Sequence, residues 1–137
     1  MTRRANPQPI PCALAVLLFA CASPPAPALT PVGAVTSSLR AVAAAQEKHY
    51  TDHGTYSTNL EALRRYPGCV IQPGVTITFH EGSTRGWAGS GFHRGFPDRS
   101  CVQWVSRPDG VPVPLTLLEQ RRADEVPGGV VCDPPLP

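Results

Sequence analysis

The sequence predicts an α+β domain: one amphipathic helix packed on an antiparallel sheet of three or four strands. Three observations carry that prediction. Apolar residues recur at helical spacing over roughly 35–50 and then switch to strict alternation over 75–80, so a helix is followed by strands. Turn motifs (Pro73-Gly74, Pro108-Asp109-Gly110) separate the later apolar runs at hairpin-like intervals. Aromatic residues are few and sit mid-chain (Tyr50, Tyr56, Tyr66, Phe79, Trp87, Phe92, Phe96, Trp104), which places the core there.

The helix comes first. Thr30-Pro31 forms an N-cap and N1 pair, with Thr36 or Ser37 as alternative starts. Val35, Leu39, Val42, Ala43, Gln46 and Tyr50 share one face, while Arg40, Glu47, Lys48 and Thr51 lie opposite. Gly54 suits the left-handed residue that ends a helix. Thr58-Asn59-Leu60-Glu61 fits a capping box opening a short turn that carries Leu60 and Leu63. Val75, Ile77 and Phe79 alternate with Thr76, Thr78 and His80 in a first strand. Trp87–Phe92 is the candidate return strand, although glycines 86, 89 and 91 weaken it, and residues 82–95 read as a loose hairpin. Cys101–Val105 is a clearer strand. Residues 111–129 mix prolines with an unassigned Leu115–Arg122 stretch, and Val130-Val131-Cys132 either adds a last strand or pins the tail.

The N-terminal segment has its own logic. Arg3 and Arg4 precede an apolar run of 8 residues, Ala13–Ala20. That run is far short of the ~20 residues a spanning helix needs, and it reads as an export signal. Leu18-Phe19-Ala20-Cys21 resembles the lipobox of bacterial lipoproteins. The resemblance implies cleavage before Cys21, a diacylglycerol thioether on that sulfur and an acylated (palmitate-bearing) N-terminus. The competing reading is an ordinary cut after Ala26-Pro27-Ala28, which discards Cys21. The expected organisation is a signal peptide over 1–20, a proline-rich tether over 21–31 and a globular domain over 32–137. The tether, with four prolines and no charge, stays extended at about 3.1 Å per residue.

Removing the signal takes two of the 12 basic residues and leaves ten against 10 acidic ones, so no positive surplus remains to neutralise nucleic-acid phosphates. Of 5 cysteines, Cys12 lies in the signal and Cys21 is the lipid anchor, leaving Cys69, Cys101 and Cys132. We favour a Cys101–Cys132 disulfide in an exported chain, with Cys69–Cys101 and Cys69–Cys132 as alternatives. No CxxC is present to suggest redox or zinc chemistry.

The run Ser38–Tyr50 (Ser-Leu-Arg-Ala-Val-Ala-Ala-Ala-Gln-Glu-Lys-His-Tyr), followed by Thr51-Asp52-His53-Gly54-Thr55-Tyr56, resembles the distal half of the long helix of type IV pilins and pseudopilins. His53 stands where such proteins commonly carry Asn. The leucine-bearing turn at 58–63, the Pro73–Ile77 strand start, Gly86-Trp87 and a C-terminal cysteine pair follow in the same order, so the similarity covers about residues 35–106 plus Cys132. It implies a pilin-like α/β roll. The prepilin-peptidase site and apolar half-helix of those families, on which filament assembly rests, have no counterpart in this sequence; the lipobox and tether stand in their place. The implied role is that of a non-enzymatic, lipid-anchored envelope protein, an accessory to a pilin-like or secretion system or a surface interaction module. Its partners would be the membrane, through Cys21, and pilus or secretion proteins. The alternative is a periplasmic lipoprotein that binds a ligand or polysaccharide, or acts as an inhibitor.

Chemistry elsewhere is sparse. His49 and His53 have the i,i+4 spacing of a metal pair, but Tyr50 stands where HExxH enzymes carry glutamate. Cys69 with His80 or His93 is a formal nucleophile–base combination that nothing nearby marks as activated. Residues 82–95 lack the lysine of a phosphate loop. Trp87, Phe92 and Phe96 are the candidate contacts for a sugar or protein partner, against the competing reading that their rings fill the core. No enzyme activity, cofactor or metal is expected.

Overall fold

Helix α1 runs Pro31–His53 and begins where the Thr30-Pro31 pair directs it: Thr30 is extended, and its hydroxyl accepts from Gly33 N at 3.1 Å. The computed structural model describes residues 28–106 and 110–134. The signal over 1–20, Cys21, the tether up to Pro27 and the Pro108-Asp109 turn lie outside the described residues. Gly54 ends the helix at φ 69°, donating its N–H to Tyr50 O at 2.7 Å. A side chain there would strain the backbone, which is why a glycine stops the helix. Val35, Leu39, Val42 and Gln46 are buried as predicted, together with Ala34, Ser38 and Ala45, while Ala43 and Tyr50 sit at the margin. Among the described residues no helix is long and apolar enough to cross a membrane.

Helix α2, Leu60–Leu63, is a single turn that seals one end of the core with Leu63. Its cap differs from the expectation. Asn59, not Thr58, accepts from the Glu61 and Ala62 N–H groups at 3.0 and 3.2 Å. Glu61 turns outward to Arg64 instead of reaching back.

Four strands, β1 (Val75–Ser83), β2 (Gly86–His93), β3 (Phe96–Ser106) and β4 (Val130–Cys132), form one sheet in sequence order, with every neighbouring pair antiparallel. The fold is therefore α+β, with one main helix on a four-stranded antiparallel sheet. The expected loose hairpin over 82–95 is instead a regular inner strand flanked by two short turns. The glycines explain the difference. A Cβ on Gly91 would lie 2.9 Å from Val35 Cγ1 and 3.0 Å from Ile77 Cδ1, so its absence lets α1 settle onto the sheet. Close approach of the helix compensates the intrinsic weakness of glycine in a strand.

The register Ile77↔Gly91↔Cys101↔Cys132 sets one row of the helix-facing surface. Cys101 and Cys132 are joined by a disulfide across β3 and β4. On this face Val42, Ala45, Tyr56, Leu63, Cys69 and Trp87 form one cluster, and Val35, Leu39 and Cys101 another. The opposite face is also covered. Val102 and Val131 pack there against Ala123, with Trp104 and Val113 alongside. The cover comes from the segment 111–129, which includes a 3₁₀ turn at Ala123–Glu125 and a bridge between Leu115 and Arg122. The unassigned stretch is thus a second layer.

Candidate functional site

The expected site residues separate in space. Trp87 is wholly buried beneath α1, its ring edge-on to Phe79. It offers no surface to a sugar or partner, which corrects that part of the expectation and supports its competing role as core. Phe92 is half-buried in β2. Phe96 opens β3 and lines a cavity. The three rings do not make one platform.

The histidine pair His49/His53 has ring centroids 4.5 Å apart. His49 Nδ1 donates to Thr55 O at 2.8 Å, fixing the chain just beyond the helix. Among the described residues no three side chains of His, Cys, Asp or Glu gather as a metal cluster. Cys69 is buried, and that burial raises its thiol pKa, the Arg64 charge opposing only in part. The thiol is the opposite of an activated nucleophile. His80 bonds the Ser90 hydroxyl at 2.9 Å in an exposed contact, and His93 Nδ1 accepts from Gly95 N. Neither histidine bonds to Cys69.

Where the first turn of α1 meets β2 and β3, the structure opens a cavity of about 400 Å³. Pro31, Val32 and Val35 form one wall, and Gly91, Phe96 and the disulfide at Cys101 form the other. The remaining lining is polar: Thr30, His93, Arg99, Ser100 and Asp133. Arg99 donates one Nη to Pro134 O, but its Nε is buried with no hydrogen-bond partner among the described residues. No acidic residue stands in the first turn of α1.

No known protein family matches the chain, and no curated protein matches it either.

Asp133 is the organising group beside the cavity. It is only 2% exposed, and its carboxylate accepts from Ser100 N at 2.9 Å, Leu118 N at 3.1 Å and Glu119 N at 2.8 Å. Burial by itself would raise its pKa. The bonds from Glu119, Ser100, the Thr116 side chain and Leu118 together outweigh burial and hold it below the usual aspartate range. A carboxylate receiving several N–H bonds stays ionised even out of water. Its acceptor capacity is committed to the fold, so it does not serve as a base.

Arg99 and Asp133 were not singled out from sequence. Asp133 sits in a proline-rich tail, and only the pairing of β3 with β4 brings it to Ser100. The segment it holds leaves Leu115, Leu117 and Leu118 each about half exposed.

Proposed function

We propose that this chain is a lipid-anchored, non-enzymatic envelope protein whose pilin-like domain serves as an interaction module, an accessory to a pilin-like or secretion system. The single observation that carries the reading is the placement of a disulfide-closed domain directly behind a lipobox-like Leu-Phe-Ala-Cys and a proline-rich segment. A disulfide suits an oxidising compartment outside the cytoplasm. One helix on an antiparallel sheet is compatible with the pilin-like order of motifs, and three half-exposed leucines within residues 115–118 support a contact role, since exposed apolar patches commonly mark interaction surfaces. The polysaccharide alternative loses its strongest ring with the burial of Trp87.

Membrane fractionation of Cys21→Ser tests the anchor. The wild type should sediment with membranes, and the variant should be soluble in the envelope extract. A variant that still sediments refutes lipid anchoring, as does a mature mass that begins elsewhere than residue 21 and carries no acyl groups. Co-purification from solubilised membranes tests the role. Pilus or secretion components should be recovered with the wild type and lost with Leu117→Asp/Leu118→Asp; recovery of none refutes the accessory assignment.

A further inference from the structure

We propose that the cavity between the first turn of α1 and β2–β3 binds one aliphatic carboxylate, a free fatty acid, with its tail against the apolar walls and its carboxylate on Arg99. The inference is independent of the anchoring reading, because it rests only on atoms of the folded domain.

Volume and lining come first. About 400 Å³ lies within the range of small-molecule sites, and the walls made by Pro31, Val32, Val35, Phe96 and the disulfide present only apolar contacts. The apolar walls take a hydrocarbon chain, and the polar groups are left to the head of the ligand. Charge then fixes the head. Arg99 carries a buried Nε–H without an acceptor, and an orphaned guanidinium donor is costly unless a ligand supplies one. Asp133 does not fill that need, because its oxygens are engaged by Ser100, Leu118 and Glu119. No acceptor among the described residues meets that N–H, and a carboxylate is the group whose geometry matches a guanidinium edge. The α1 N-terminus, with its positive end and no acidic residue in the first turn, adds to the preference for an anion. Asp133 is the acidic side chain in the lining, and its charge is taken up by the Ser100, Leu118 and Glu119 N–H groups, so it opposes a bound anion less than a bare carboxylate would.

Calorimetry on the full chain carrying Cys21→Ser, which has no acyl group of its own to compete, tests this with octanoate, decanoate and dodecanoate below their micellar range. Affinity should rise about fourfold per added methylene until the cavity is filled. Dodecanoate should bind at least about tenfold more tightly than its methyl ester or dodecanol. Arg99→Gln should abolish that carboxylate preference while leaving the chain-length dependence, and Val32→Trp should block all three acids. Melting curves confirm that both variants fold, and Arg99→Lys, which keeps charge but not the Nε–H, serves as a second probe and should lose most of the preference. Equal affinity for acid and alcohol, no dependence on chain length, or no saturable binding below about 1 mM would overturn the proposal. Exclusion of dodecanoate from the acylated wild type, with binding only to Cys21→Ser, would overturn it in favour of the protein's own acyl chain as occupant.

Discussion

Asp133→Asn should destabilise the domain by about 2–4 kcal/mol at neutral pH, and the figure follows from the bonds it disturbs. Oδ2 accepts from Ser100 N and Leu118 N, and Oδ1 from Glu119 N. An asparagine keeps one oxygen. Its best orientation leaves the carbonyl on Ser100 and Leu118 and turns the amide N–H₂ toward the Glu119 N–H, two donors face to face. One buried donor then goes unmet at about 1–3 kcal/mol, and the surviving bonds lose their charge assistance, which roughly halves their strength. At about 4 °C per kcal/mol for a domain near 100 residues, the melting temperature should fall by about 8–16 °C. The pH dependence carries the sign. The folded-state pKa of Asp133 is depressed, so its stabilisation is fully present above the unfolded value, about 3.9, and is lost as pH falls through the folded value. The gap between wild type and variant, measured by calorimetric melting, should therefore be widest near pH 7 and close as the pH drops below about 4. A variant melting within about 2 °C of wild type at pH 7, or a gap that stays constant into acid, refutes the role assigned to the carboxylate.

The remaining predictions concern other fastenings. Gln46→Ala removes the bonds from its amide to Ser57 O at 2.6 Å and from Ser57 N at 2.9 Å, and should cost about 2 kcal/mol with exchange of the Ser57 amide hydrogen accelerated on the order of tenfold or more. Unchanged exchange contradicts that clasp. Cys132→Ser opens a loop closed across a separation of 31 residues and should lower stability by roughly 3–4 kcal/mol, read from the urea midpoint against the oxidised wild type. A shift under about 1 kcal/mol would show that the sheet holds its last strand unaided. Cys69 should resist alkylation at pH 8 in the native protein and react stoichiometrically in denaturant, because burial raises its pKa and hides the sulfur. Fast native labelling would place the thiol at the surface.

What could be read from the sequence was local. The helix was legible because caps, face and stop all lie within its own residues: Thr30, the Val35–Leu39–Val42 stripe and Gly54. The alternation at Val75–Phe79 and the apolar Cys101–Val105 run marked β1 and β3 for the same reason. Trp87–Phe92 was a weak candidate for β2 because its glycines are unfavourable when weighed alone; their value lies in the close approach of Val35 and Ile77 to Gly91, which sequence spacing does not display. Residues 111–129 carry no period, since their order is imposed from outside, by Asp133 and Ser100 gripping the 117–119 amides. The cavity escaped notice on similar grounds. Its walls come from residues 30–35 and 91–101, and its charged group, Arg99, gains meaning only when the chain beyond β4 brings Pro134 O against it. Trp87 shows the reverse error: an aromatic among glycines suggests a binding platform until the helix is laid over it.

Thr36 touches the Cys132 sulfur, and Thr30 and Asp133 border the same opening, so the two ends of the described domain emerge at one pole. The Thr84-Arg85 hairpin tip and the close of α1 occupy the other, tied together where Tyr56 N meets Ser83 O. A graft at either extremity therefore leaves the distal pole unobstructed. Splicing the extremities through a short glycine linker and reopening the chain between Thr84 and Arg85 should yield a circular permutant that still folds.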